Sequence, residues 1–285
     1  MEELVLTRSE LESLIGAIAH QLARRESNSV KPAQDDLVMD GAPPTLDPRT
    51  SDLAPELHGL ARLMDHTLLK ADATPKQVER LAEEALQFSF AAACVNPFWT
   101  SLLAARLRGS IVRVGTVVGF PLGATFTATK RAEAETAIIA GAQEIDMVMN
   151  VGAMRSGELA LVQNDMRGVI EVCHALGAGV KVILETAYLT DEQKVTACRL
   201  AEESGADYVK TSSGFGPGGA TVDDVRLMRS AVGPKVGVKA AGGIRTLDDA
   251  LALLRAGASR LGTSASVAIL SEAAQCLTPA ASAGD

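Results

Sequence analysis

Positive charge is in short supply along this 285-residue chain, where 27 lysines and arginines face 35 acids for a formal net charge of -8. No basic field is available to hold a phosphodiester backbone or an anionic bilayer by bulk electrostatics, so neither nucleic acid nor a membrane surface is expected as a partner. Aromatic residues make up only 3% of the sequence, which leaves any core to aliphatic side chains. Nowhere do apolar residues run unbroken for the roughly 20 positions that a transmembrane helix needs. Cysteine is scarce as well: Cys94, Cys173, Cys198 and Cys276 form no Cys-x-x-Cys pair. A chain this long needs no disulfide staples, and a reducing cytoplasm is the expected compartment. The N-terminal stretch MEELVLTRSELESLIGAIAH carries acids from its second residue and lacks the basic n-region of a signal peptide. The four histidines of the chain, His20, His58, His66 and His174, are scattered without metal-ligand spacing, so no metal is expected.

What is present is a rhythm. Leu11, Leu14, Ile15, Ile18 and Leu22 predict one amphipathic helix over residues 7–25. From Glu26 to about Gly59 prolines and acids predominate, as in a linker or an extended strap. Residues 1–55 are therefore expected to form an N-terminal extension, and residues 56–285 a single domain. Beyond residue 60, Gly109, Gly141, Gly177, Gly205, Gly233 and Gly257 each close a candidate helix before a β-rich run. The words AGAQEIDMV, ESGADYVK and RAGASRLG nearly repeat one another. The physical reading is a left-handed glycine at a helix C-terminus, then a short turn into a buried strand. A period near 30 residues is one strand plus one returning helix.

Strands are expected at ARLMDHT, FAAACVN, IVRVGTVVGF, EIDMVMNV, VKVILET, DYVKTS, VGVKAAG and SRLGTS. Eight such runs, near-continuously apolar and each followed by a helical pattern, predict an α/β protein closed as a (β/α)8 TIM barrel. An open doubly wound sheet is the alternative.

Polar residues inside those runs stand out, because barrel chemistry sits at strand ends. Asp65, Cys94, Asn96, Glu185, Lys210 and Lys239 all fall there, and Asp146 lies within the fourth run. A lysine forced inward must meet an acid or lose its proton, and a neutral amine is what attack on a carbonyl requires. Each lysine taken singly could instead snorkel to solvent. Asp65, Lys181 and Glu185 could be structural, Cys94 an apolar lining residue and Asn96 a loop cap. Glycine and serine cluster in SSGFGPGG, AAGG and GTSA, after the last three strands. Those loops and the start of the final helix are a natural anion site, though the glycines could equally serve as turn residues. Gly214, Gly216 and Gly219 spell G-x-G-x-x-G, but late in the chain and around Pro217, outside the opening βαβ unit of a dinucleotide site. VGFPLGA lacks the Gly-Lys-Ser/Thr of a P-loop. Carbonyl chemistry by an amine, on a phosphorylated compound and without metal or organic cofactor, is the simplest reading.

The motifs LMDHTLLK, ACVNP, VGFPLGA, EIDMVMNVG, KVILET, YVKTSSGF, VKAAGGIRT and LGTSA occur in order from about Leu60 to Leu270. In order and spacing they resemble the DeoC family of class I aldolases. The resemblance implies a barrel that reversibly cleaves 2-deoxy-D-ribose 5-phosphate to D-glyceraldehyde 3-phosphate and acetaldehyde, in deoxyribonucleotide catabolism. By motif, it implies that Lys210 is the Schiff-base lysine, Lys239 the neighbouring cation and Asp146 the relay carboxylate. It further implies that Asp65, Thr67 and Cys94 line the substrate, and that Gly214, Gly242, Gly243, Gly262 and Ser264 surround the phosphate. Small phosphorylated sugars and aldehydes are the implied partners, with a homo-oligomer also allowed. Two departures stand out: Ala265 follows Ser264 where some members carry a second serine, and the tail LTPAASAGD lacks a tyrosine that some members use for proton transfer. Rival readings are another aldolase or phosphosugar isomerase on this fold, and a non-catalytic phosphometabolite sensor.

Overall fold

The computed structural model describes residues 55–277, together with Ser13 and Gly16. The expected helix over residues 7–25 therefore lies outside the described residues but for those two, and so does the proline-rich segment up to residue 54. The remainder of that segment is not a strap. Pro55–Ala61 forms helix α1, opened by a proline whose fixed φ suits a first turn. It buries Leu57, Leu60 and Ala61 and packs against the last helix, α10 (Ser266–Leu277).

All eight expected strands form, somewhat shorter than their apolar runs: β1 Met64–Leu68, β2 Ala92–Val95, β3 Arg113–Val118, β4 Glu144–Val148, β5 Gly179–Ile183, β6 Tyr208–Lys210, β7 Gly237–Ala241 and β8 Arg260–Thr263. Each pairs in parallel with the next, and β8 returns to β1 to close the barrel. The open-sheet alternative is thereby excluded. Between strands run α2 (Pro75–Phe88), α3 (Thr100–Leu107), α4 (Thr127–Ile139), α5 (Val151–Arg155), α6 (Leu159–Ala175), α7 (Asp191–Glu203), α8 (Val222–Ala231) and α9 (Leu247–Arg255). Local chemistry starts them where it should: Thr190 accepts the Gln193 N–H at 3.3 Å, and Gln193 accepts the Thr190 N–H at 3.1 Å, a reciprocal cap that opens α7. None of the described helices is long and apolar enough to cross a membrane.

Five of the six helix-closing glycines, Gly109, Gly141, Gly177, Gly205 and Gly257, take the left-handed conformation expected of them. Gly233 does not. After α8 the guanidinium of Arg229 donates to the carbonyls of Val232, Gly233 and Val236, so a side chain closes that helix end in place of a left-handed residue.

Strand parity separates two interiors. The outward set, including Met64, Ala93, Val114, Ile145, Met147, Val180, Val182, Val209, Val238 and Leu261, packs under the helices as the aliphatic core. His66 belongs to this outer layer: its ring lies 5.1 Å from that of Phe90, and Nε2 is 2.8 Å from Glu84. The inward set is unlike it. Register aligns Asp146 with Lys181, Lys210 with Lys239, and Lys239 with Arg260, so the barrel's own interior is filled with charge.

Candidate active site

Three inward carboxylates and four inward cations occupy the barrel in successive layers. At the floor, β4 supplies Glu144 and β8 supplies Arg260. One level up sit Asp65 of β1, Lys181 of β5 and Lys239 of β7, and above them Asp146 of β4 and Lys210 of β6. Asp146 is the hub. Its Oδ2 accepts hydrogen bonds from Lys210 and Lys239, both at 2.7 Å, while Oδ1 accepts from Lys181 at 3.0 Å. Lys239 also donates to Asp65 Oδ2 at 2.5 Å, and Arg260 holds Asp65 Oδ1 at 2.7 Å. Lys181 completes the mesh at 2.5 Å from Glu144 and 3.5 Å from Asp65.

This mesh answers the question that the sequence left open, of how lysines can be forced inward. Each buried charge has a partner, without which its desolvation would cost several kcal/mol. Fully ionised, however, the mesh carries one cation too many. Although burial favours its neutral form, Asp146 is held well below the usual carboxylate range by Lys181, Lys210 and Lys239. Lys239 is raised, its burial outweighed by Asp146 and Asp65. Lys181 and Arg260 are raised in the same way. Lys210 alone of the four is lowered, first by burial and then by the ammonium of Lys239, against the opposing pull of Asp146. The amine that can most readily be neutral is thus singled out by its surroundings.

Space for the mesh is made by small residues. A Cβ on Gly262 would lie 2.9 Å from Cε of Lys239, so this glycine of β8 admits the lysine. The resemblance puts this glycine beside a phosphate, and the structure adds its contact with the Lys239 side chain. Asp65 is not at the strand end where the sequence suggested, but second in β1 and completely buried beside Lys239. Thr67, two residues further up β1, donates to the Asp65 carbonyl at 2.9 Å. Cys94 packs with Leu69 and Val117 in a small apolar wall that Phe120 extends. Burial pushes its thiol up to about 11, so it is a lining residue rather than a nucleophile.

At the mouth, Gly214, Gly242 and Gly243 all have positive φ, and Gly214, Gly243 and Ser264 are exposed. Nothing lies within 4 Å of where a Cβ of Gly243 would be, so this backbone faces open space. Ser264 precedes α10, where Thr263 Oγ1 accepts the Ala265 N–H at 2.9 Å. The other candidates are structural. Both oxygens of Glu185 accept the Ser213 N–H at 3.2 Å, and the Asn96 amide donates to the Leu69 carbonyl at 3.1 Å.

Sequence reasoning undervalued Lys181 and passed over Glu144 and Arg260. Lys181 carried the same signal as Lys239, a lysine inside a short apolar run, and its register opposite Asp146 supplies what that signal lacked. Lys130 was also missed. It is fully buried, with Nζ 2.9 Å from the Val148 carbonyl and 2.5 Å from Asp165, and ties the end of β4 to α6.

A closed parallel barrel that presents a deprotonation-prone lysine beside a carboxylate and a second lysine has the makings of an amine-dependent carbonyl lyase. The chain belongs to the DeoC/LacD family of aldolases, whose pattern residues 60–272 match. It is 55% identical over 211 residues to a deoxyribose-phosphate aldolase of Aciduliprofundum boonei, covering 74% of this chain and 95% of that one. A deoxyribose-phosphate aldolase of Streptococcus pneumoniae is 57% identical over 212 residues, with coverages of 74% and 95%. Among solved structures, the tetrameric deoxyribose phosphate aldolase of Aeropyrum pernix superimposes with a TM-score of 0.72 at 34% identity, over 77% of this chain and 93% of that one.

Proposed function

We propose that this chain is a class I aldolase that reversibly cleaves 2-deoxy-D-ribose 5-phosphate to D-glyceraldehyde 3-phosphate and acetaldehyde, with Lys210 as the Schiff-base lysine. The observation that carries the assignment of Lys210 is its position as the one amine of the mesh whose proton is loosened by burial and by a neighbouring ammonium.

The steps follow from the neighbours of Lys210. Its neutral Nζ adds to the open-chain aldehyde carbon, and loss of water leaves an iminium. Asp146 and Lys239, bonded to each other at 2.7 Å, stand where protons must be moved during addition and dehydration. The C3 hydroxyl gives up its proton through a water held by this pair. The C2–C3 bond breaks as its electrons flow into the iminium, releasing D-glyceraldehyde 3-phosphate and leaving an enamine on Lys210. Protonation at C2 and hydrolysis release acetaldehyde and restore the amine. Asp65 fixes Lys239 through Oδ2. Thr67 and Cys94 line the wall. Gly214, Gly242, Gly243, Gly262 and the N–H groups around Ser264 receive the phosphate, and Gly262 also makes room for Lys239. Binding the remote phosphate holds the open chain in register with the amine.

Catalysis is assigned to residues 56–285, with residues 1–55 as an extension outside the chemistry. A homo-oligomer is part of the proposal, supported by the tetrameric Aeropyrum pernix relative. So is a cytoplasmic location, supported by four free cysteines of which three are buried. The test is incubation with 2-deoxyribose 5-phosphate, borohydride reduction and mass mapping. The expected adduct is on Lys210; an adduct on Lys239, or turnover without any adduct, overturns the assignment.

A further inference from the structure

The charge surplus inside the barrel has an origin at the floor, below the level of Lys210. Arg260 opens β8, and its guanidinium turns inward beneath Asp65. Nη1 lies 2.7 Å from Asp65 Oδ1 of β1 and 3.6 Å from Glu144 Oε2 of β4. The guanidinium carbon is 5.4 Å from the centre of the Tyr208 ring of β6, and Nη2 is 3.5 Å from the Tyr208 hydroxyl. A Cβ on Gly237 would overlap the Tyr208 ring, so that glycine of β7 makes room for the aromatic on which the guanidinium rests.

Without Arg260 the interior would hold three carboxylates and three lysines, a balanced count in which Lys210 would keep its proton more readily. With Arg260 present, Asp65 and Glu144 are shared among Arg260, Lys239 and Lys181, and Asp146 must serve three lysines. An arginine never surrenders its charge under physiological conditions, so the surplus falls on a lysine.

We infer that Arg260 is a positioning residue for the reaction: by occupying Asp65 and Glu144 from the floor, it leaves Lys210 as the one cation of the four with a single carboxylate partner, Asp146, which it shares with two other lysines. The inference rests on Lys210 being the Schiff-base lysine. The groups facing this relay are Asp65 of β1, Cys94 of β2, Arg113 of β3, Glu144 and Asp146 of β4, Lys181 of β5, Tyr208 and Lys210 of β6, and Lys239 of β7. Arg113 is half-exposed and 3.8 Å from Glu144, where solvent screens it.

The experiment compares pH profiles of kcat/KM, and of borohydride trapping with acetaldehyde, for the unmodified protein, Arg260→Gln, Arg260→Lys and the double variant Arg260→Gln/Glu144→Gln. Removing the floor cation should move the acid limb of both profiles to higher pH by about one unit, a roughly tenfold loss at neutral pH that is recovered in alkali. Arg260→Lys should leave the limb in place. The double variant, which deletes one acid along with the cation, should bring the limb back. A merely structural arginine would lower the melting temperature and the rate alike without moving the limb, and an unmoved limb in folded Arg260→Gln overturns the inference. Should Arg260→Gln not fold, Glu144→Gln alone tests the same count with Arg260 in place. It should move the limb to lower pH, and an unmoved limb there overturns the inference as well. Mass mapping of the unmodified protein keeps the two ideas apart: trapping on another lysine defeats the Schiff-base assignment, whereas trapping on Lys210 with unmoved limbs defeats only the role of Arg260.

Discussion

Replacing Lys239 by leucine removes one charge from the heart of the mesh and should slow the enzyme in a way that pH can reverse. Lys210 and Lys239 each donate to Asp146 Oδ2 at 2.7 Å. Two nitrogens that share one acceptor in this way stand no more than about 5 Å apart, where like charges in an effective dielectric of ~20 repel by about 3 kcal/mol, or about 2 pH units. The sign is definite. A neighbouring ammonium favours the neutral form of Lys210, so its loss raises the pKa of Lys210 and leaves Asp146 freer to stabilise the charged amine. At neutral pH the fraction of neutral Lys210 should fall, by up to about 100-fold, and the rate of borohydride trapping with it. Trapping should then climb about tenfold per pH unit towards alkali. The variant should fold, because Asp65 keeps Arg260 at 2.7 Å and Asp146 keeps Lys181 at 3.0 Å. The assay is reductive trapping with acetaldehyde across the pH range, followed by peptide mapping and compared with Lys210→Ala, which should show no adduct. A loss in Lys239→Leu by the same factor at every pH, in folded protein, would refute the electrostatic account. Undiminished trapping in Lys210→Ala would refute the choice of nucleophile.

Ser264→Ala should weaken the phosphorylated substrate by roughly 1 to 2 kcal/mol, seen as a KM raised about 5- to 30-fold, with the unphosphorylated sugar unaffected. Equal effects on both sugars would place this exposed serine outside the anion site. Deleting residues 1–55 should leave kcat/KM within about tenfold of the full chain, since every assigned site residue lies beyond them. A larger fall in a truncated protein that keeps its fold and assembly would give the extension a part in catalysis.

The barrel was legible in the sequence because its signals are local. An apolar run, a helical pattern and a closing glycine each act within a few residues, and repetition of the unit about every 30 positions makes closure a matter of counting. Exceptions were local too. Gly233 looked like its five counterparts, but the Arg229 side chain took over its work, and Pro55–Ala61 looked like linker because seven residues carry little periodicity. Lys210, Lys239 and Asp146 were legible as polar residues in runs that should be apolar. Arg260 and Glu144 were not, since a charge at the first residue of a strand is ordinary at a solvent-facing end.

By itself the sequence determined the architecture, the family and the presence of inward lysines, because those depend on hydrophobic period, glycine placement and short motifs. Only the tertiary structure decided what the charges do. Asp146 meets residues 64 and 93 positions away in the chain, and Asp65 meets Lys239 across 174. Electroneutrality inside a low-dielectric barrel is a property of all seven charged groups at once. Which amine gives up its proton follows from that sum and from the distances between groups, and neither exists until eight strands have closed.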